Sequence, residues 1–148
     1  MFTVSQLLAH KEEAGTRTVA TVRPGASVLD AAQIMNDERI GSLVVREDGE
    51  AVLGIITERD FLRRVLAAER SPSQTLVREV MTTDVLTCTT GAKLDDIRVL
   101  MREKRIRHMP VVEEGELRGM ISIGDLNFAE THALNNHVEQ LEAYIRTA

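Results

Sequence analysis

Gly54-Ile55-Ile56-Thr57-Glu58-Arg59-Asp60 and Gly119-Met120-Ile121-Ser122-Ile123-Gly124-Asp125 are two copies of one pattern, Gly-x-x-(Ser/Thr)-x-x-Asp, set 65 residues apart. In each, an apolar run ends on a hydroxyl side chain and a carboxylate follows three residues later. Upstream, residues 21–49 lie over 87–115 at a constant offset of 66. Ten of those positions are identical: Thr21/Thr87, Gly25/Gly91, Ala26/Ala92, Asp30/Asp96, Met35/Met101, Arg39/Arg105, Ile40/Ile106, Val45/Val111, Glu47/Glu113 and Gly49/Gly115. One deletion in the next turn shortens the offset to 65 and brings the two opening stretches into register. Agreement that runs on through matching turns marks an internal repeat.

Each copy reads as strand, helix, strand, strand, helix. The leading extended segments are residues 18–22 and 85–88, each followed by a glycine turn. In the first copy Ser27-Val28-Leu29-Asp30 is a capping box, and Val28, Ala31, Ala32 and Met35 recur at i, i+3, i+4 and i+7, which is the core face of a helix. Apolar strands at 43–45 and 109–112, turns at Asp48-Gly49 and Glu114-Gly115, and second strands at 53–56 and 120–121 predict a hairpin in each copy. A closing helix places Phe61, Leu62, Val65 and Leu66 on one side. The fold expected is α/β of the α+β type: two β-α-β-β-α repeats, each sheet covered by helices on one face and by the other repeat on its second.

The expected division is an N-terminal helical segment 1–15, a first repeat 16–69, a linker 70–77, a second repeat 78–128 and a C-terminal amphipathic helix 129–148. Thr3 and Gln6 form a capping box for the leading helix, with Phe2 placed to staple onto Leu7. Pro72 and two serines mark the linker. Leu134, Val138, Leu141 and Ile145 are spaced 4, 3 and 4, an a/d seam too short for a coiled coil of its own, so it packs on the body or on a second subunit.

Composition narrows the class of function. The 148 residues are 43% apolar and 28% charged, enough for a core, and 23 acidic against 18 basic residues leave a net charge of −5. That balance argues against a nucleic-acid partner, and so does the aromatic content, only Phe2, Phe61, Phe128 and Tyr144, which offers no stacking platform for bases. No apolar run approaches the ~20 residues of a membrane helix. A single cysteine, Cys88, with no zinc-type Cys/His spacing predicts a soluble protein of a reducing compartment, by default the cytoplasm. Catalysis finds no support: Cys88, His10, His108, His132 and His137 form no recognisable set, and His132 and His137, five apart, point ~140° apart on a helix. No metal site is expected.

The Gly-x-x-(Ser/Thr)-x-x-Asp pattern has two readings. Thr57 with Asp60, and Ser122 with Asp125, satisfy the capping box with no ligand at all. The same positions sit at a helix N-terminus, where free amides and the positive dipole end favour phosphate, while a carboxylate is suited to both hydroxyls of a ribose. One pair of residues can do both.

With the second pattern preceded by Arg105-Ile106-Arg107-His108-Met109-Pro110-Val111-Val112, the chain from about Thr16 to Phe128 resembles a tandem pair of CBS domains, named after cystathionine β-synthase. The resemblance implies two repeats packed sheet to sheet about a pseudo-twofold axis, often in a disc-shaped homodimer. Two clefts between the repeats would take AMP, ADP, ATP, NAD or S-adenosylmethionine, with AMP foremost and NAD or ATP also compatible. By position, the first cleft uses Thr57, Arg59 and Asp60 with Thr82, Thr87, Ile106, Arg107 and His108. Asp60 holds the ribose, Thr57 the ribose or phosphate, and Arg59, Arg107 and His108 the phosphate. The second uses Ser122 and Asp125 with Thr16, Thr21, Ile40, Gly41 and Ser42. There Gly124 replaces Arg59 and Gly41 replaces Arg107, so with fewer cations of its own this cleft is expected to bind phosphate more weakly, even if Arg107 and His108 reach it. Arg59, Arg105 and Arg107 would make a local basic spot on an acidic protein.

The function expected is regulatory: an adenine-nucleotide sensor reporting to a separate effector protein through residues 1–15 and the C-terminal helix. The alternative is a structural dimerisation module with empty clefts, whose Asp60 and Asp125 only cap helices.

Overall fold

Thr3 caps the first helix as its spacing to Gln6 requires: its side chain accepts from the Gln6 amide at 3.4 Å, and the Gln6 side chain accepts from the Thr3 amide at 2.9 Å. The computed structural model describes residues 2–15 and 19–147, so Thr16 and the start of the predicted first strand lie outside the described residues. After α1 (Val4–Glu13) the first repeat runs β1 (Thr21–Val22), α2 (Val28–Glu38), β2 (Ser42–Val45), β3 (Gly54–Thr57) and the short α3 (Glu58–Asp60). A six-residue π-helical stretch, Phe61–Leu66, continues α3 directly. Beyond the linker come α4 (Val77–Val80), α5 (Leu94–Lys104), β4 (His108–Glu113), β5 (Glu116–Ser122) and α6 (Ile123–Thr147).

β1 pairs in parallel with β2, and β2 antiparallel with β3. In the second repeat β4 and β5 form an antiparallel pair with a bulge between Val111 and Val112. The predicted strand at 85–88 contracts there to one parallel bridge, Cys88 to Val111. Proline accounts for the loss. The Val44 amide donates to Ala20 at 3.0 Å, and at an offset of 66 Val44 becomes Pro110, which has no N–H to give. The next bond survives in both copies, from Arg46 to Val22 at 3.1 Å and from Val112 to Cys88 at 2.9 Å.

The strands are apolar at 43–45, 54–56, 109–111 and 119–121, where both faces are buried. Leu43, Val45 and Ile56 face the helices of the first repeat, among Val28, Ala31, Met35 and Val65. Met109, Val111 and Ile121 do the same in the second, among Leu94, Ile97, Met101, Leu126 and Ala129. The alternate side chains Val44, Ile55 and Met120 turn the other way and meet in a third cluster, with Leu117 at its edge, which joins the two sheets.

The segments ahead of each repeat are stitched onto the opposite ends of that arrangement by the same three bonds. Val28 donates to Thr75, Val77 to Ala26 and Arg78 to Pro24, at 2.8, 2.8 and 3.0 Å. In the other half Leu94 donates to Phe2, Val4 to Ala92 and Ser5 to Thr90, at 3.1, 2.9 and 2.9 Å. Val77 and Val80 of α4 enter the first core, and Val4 and Leu7 of α1 enter the second. Residues 2–15 therefore complete the second repeat as the post-linker segment completes the first.

Two helical expectations change. Phe61 and Val65 pack inward, but Leu62 and Leu66 are 59% and 70% exposed, since successive helical residues point about 100° apart and the second pair clears the buried face. The closing helix of the second repeat and the C-terminal helix are one 25-residue element, and position 128/129 falls inside it. Its Leu134, Val138, Leu141 and Ile145 are all at least half exposed.

Candidate functional site

Thr57 closes β3 in extended conformation, φ −127° and ψ 167°, so its side chain can turn back over the first amides of α3. The Asp60 amide donates to Thr57 Oγ1 at 3.4 Å, and Asp60 Oδ2 accepts from the Thr57 amide at 2.9 Å. Asp60 is only 6% exposed. Its other oxygen faces the segment after α4: the Thr82 hydroxyl donates to Oδ1 at 3.2 Å, and Arg64 Nε stands 3.8 Å away. Thr82 is held there by a two-bond bridge to Ile55, 2.9 Å in each direction. A Cβ on Gly54 would meet the Thr82 carbonyl at 2.7 Å, so only glycine lets the two chains approach this closely.

These groups line a cavity of about 190 Å³ together with Ile55, Arg59, Arg105, Ile106, Arg107 and His108. Arg59 donates from Nη1 to the Arg105 carbonyl at 3.1 Å, which draws its guanidinium across the rim. Of the residues expected in the first cleft, Thr57, Arg59, Asp60, Thr82, Ile106, Arg107 and His108 come together. Thr87 is exposed and lines neither cleft.

The second cleft is a cavity of about 280 Å³ that gathers Ile40, Gly41, Ser42, Ser122 and Asp125. Ser122 and Asp125 repeat the reciprocal cap, at 2.8 Å from the Ser122 amide to Oδ2 and 3.1 Å from the Asp125 amide to Oγ. The two clefts match down to the chain entry, where Glu58 donates to the Gly41 carbonyl at 3.2 Å and Ile123 to the Arg107 carbonyl at 2.8 Å. Thr21 is exposed on β1 and lines neither cleft, and Thr16 lies outside the described residues.

The second cleft gains two cations that the expectation did not include, against the three arginines of the first. Arg39, the counterpart of Arg105, lines it, and so does Lys11 of α1. Lys11 Nζ donates to Asp125 Oδ2 and to the Met120 carbonyl, each at 2.9 Å. Met120 is the counterpart of Ile55, so the ammonium takes the place that the Thr82 hydroxyl and backbone occupy in the first cleft. The pair is well covered, with side-chain exposures of 13% and 22%. Asp125 is thus paired with a covered ammonium, whereas Asp60 accepts from the neutral Thr82 hydroxyl with the half-exposed Arg64 at 3.8 Å. Arg39 was legible as one of the ten identities, but Lys11 precedes the aligned repeats and had no counterpart to reveal it.

His108 lies between the clefts and lines both. A Cβ on Gly41 would come to 3.4 Å from its Nε2 and 3.5 Å from Glu58 Oε1. Burial holds its pKa below the ordinary value, against the pull of Glu58 and Asp125. Burial thus disfavours the charged form of the imidazole at this shared wall. Burial also pushes the Cys88 thiol up to about 11, which leaves it protonated. Among the described residues no three His, Cys, Asp or Glu side chains cluster as metal ligands, and no helix is long and apolar enough to cross a membrane.

The clefts offer one buried carboxylate, Asp60, and one half-buried, Asp125, each at a strand-to-helix corner, with aliphatic walls and cations at the rim. A family model for the CBS domain matches residues 12–67 and 77–130. The chain is 35% identical to the CBS domain-containing protein CBSX3, mitochondrial, of Arabidopsis thaliana, over 97% of its own length and 72% of that protein's. The structure of a protein with CBS domains from Burkholderia ambifaria MC40-6 superposes with a TM-score of 0.80 at 43% identity, covering 86% of this chain and 93% of that one. A hexameric CBS-CP12 protein from bloom-forming cyanobacteria superposes with a TM-score of 0.74 at 27% identity, over 86% and 70%.

Proposed function

The chain belongs to the CBS-domain family as a tandem pair, and from that premise we propose that it is a regulatory module that binds an adenine nucleotide, AMP, ADP, ATP or NAD(H), in the clefts between its repeats. The observation that carries this reading is Asp60: a buried carboxylate that faces Thr57 of one segment and Thr82 of another at the junction of the two repeats. A ribose diol there replaces the Thr82 hydroxyl, the base lies against Ile55 and Ile106, and the phosphate meets Arg59 and Arg107. The first cleft is the tighter one, because the Lys11 ammonium already occupies Asp125 in the second. A ligand touching both repeats biases their relative arrangement by the difference in its affinity for the two states. α1, which carries Lys11, and α6, which begins at the second cleft, are the surfaces from which a separate effector protein would read that change.

The test is thermal melting of the full chain against AMP, ADP, ATP, NAD, NADH and S-adenosylmethionine. Binding to the folded state alone raises Tm in step with ligand concentration over Kd. The expected result is such a rise for at least one adenine nucleotide, abolished by Asp60→Ala. No shift from any of them at millimolar concentration overturns the sensor reading. The second reading then stands, a homodimeric scaffold, which the complete capping of both Asp side chains and the exposed leucines of α6 favour.

A further inference from the structure

The first cleft shares its arginine rim with a second cavity of about 430 Å³ beside α5. Arg59, Arg105, Ile106 and Arg107 line both spaces, and the groove adds Arg98 and Arg102, so five arginines face it with no acidic side chain among its walls. They arrive from separate places: Arg59 from α3, Arg98 and Arg102 from one face of α5 four residues apart, Arg105 from the turn after α5, Arg107 from the entry to β4. Arg98 is tied to Asn127 at 3.0 Å and to Glu130 at 3.2 Å, and Arg59 to the Arg105 carbonyl at 3.1 Å.

The repeat supplies the control. A groove of about the same size, 430 against 470 Å³, lies at the matching place in the first copy. Its residues at the positions of Arg98, Arg102, Arg105 and Arg107 are Ala32, Asn36, Arg39 and Gly41, and Glu58 stands where Ile123 does. The same backbone thus folds with one arginine and one glutamate, so packing does not require the five. On a chain of net charge −5 they form a concentrated positive field that attracts anions and repels itself when empty.

We propose that the Asp60 cleft and this groove form one site that selects nucleoside 5′-polyphosphates over monophosphates, with Arg102 and Arg98 holding the outer phosphates. The proposal rests on the nucleotide reading of Asp60 and departs from the expectation that AMP is foremost. A cavity of about 190 Å³ falls below the ~300 Å³ at which ligand pockets begin, and the adjoining groove offers the further room a polyphosphate chain needs. With the ribose at Asp60, a single phosphate reaches only the shared rim, whereas a triphosphate extends into the groove, where guanidinium forks match its oxygens. NAD would place a cationic nicotinamide riboside among the arginines, and NADH an uncharged one.

Titration calorimetry of the full chain with ATP, AMP, NAD and inorganic tripolyphosphate tests it. ATP is expected to bind at least tenfold tighter than AMP or NAD, and more steeply weakened by salt. Arg102→Gln, an exposed position whose loss leaves the circular dichroism unchanged, is expected to weaken ATP at least fivefold and AMP less than twofold. Asn36→Gln, at the matching place in the other groove, changes neither. AMP binding as tightly as ATP, or an equal loss of both in Arg102→Gln, overturns the proposal and leaves the nucleotide reading intact. Tripolyphosphate binding as tightly as ATP also overturns it, since the nucleoside cleft would then contribute nothing. Absence of binding by every nucleotide overturns both.

Discussion

Asp60 and Asp125 began as one residue type in one motif, yet they now meet different partners, and the difference lies in single side chains. The carboxylate of Asp60 accepts from a hydroxyl, and that of Asp125 is paired with a covered ammonium. Losing one member of such a pair leaves a charge without compensation, so the second cleft is stabilised against an incoming ribose in a way the first is not. Repeat alignment exposed the motif, and the family resemblance carried Ile40, Gly41 and Ser42 into the second cleft. It could not expose Lys11, whose role depends on how a preceding helix is laid across the second copy, nor the lowered basicity of His108, which burial between two clefts produces. That burial yields a pH prediction. His108 is held neutral in the folded state while the unfolded chain titrates near ~6.5, so the unfolded chain binds more protons below that value and stability falls as pH drops through it. Urea melts from pH 7.5 to 5.5 are expected to show the loss, and His108→Gln to flatten that part of the profile. An unchanged slope would show that His108 titrates normally.

At the scale of elements, glycine and proline explain where the two copies resemble each other and where they part. Gly54 and Gly119 are counterparts, and both let a preceding segment press against a strand. A Cβ at Gly54 would strike the Thr82 carbonyl at 2.7 Å and Met81 Sδ at 2.9 Å. A Cβ at Gly119 would meet only the Leu8 side chain, with Cδ2 at 2.7 Å. A backbone carbonyl held by a bridge cannot yield, whereas the end of a leucine can rotate. Gly54→Ala is therefore expected to cost about 1–3 kcal/mol and to displace Thr82 from Asp60, and Gly119→Ala to cost less than half as much, by urea denaturation. Equal losses would refute the asymmetry. The hairpins and helices were readable from period and turn residues, whereas the shared αL turn after α2 and α5, where Arg39 and Arg105 have φ 56° and 55°, carries no glycine to announce it. The thinning of the second sheet was written in Pro110 but becomes readable only once Pro110 is set against Val44. The crossed stitching of α1 and α4 was not readable, because its bonds join backbone groups that carry no residue signature.

For the whole molecule, both clefts are built within one chain, while the largest apolar surface is built by neither. Leu134, Val138, Leu141 and Ile145 lie along α6 beyond the last buried residue, Ala129, and Leu62 and Leu66 add a further exposed pair. Apolar surface on this scale favours burial against a partner. A homodimer through α6 would complete the hydrophobic seam that the 4-3-4 spacing sets out, in helices that are too short to pair without the folded body beside them. Sedimentation at micromolar concentration is expected to give a dimer for the native chain and a monomer for Leu134→Asp/Leu141→Asp. The same variant decides whether assembly and ligand binding are separable. Each cleft draws its walls from a single chain, so the monomeric variant is expected to keep the full nucleotide-induced rise in Tm. A monomer that no longer responds to nucleotide would mean that the partner contributes to the site, and a variant that remains dimeric would move the interface away from α6.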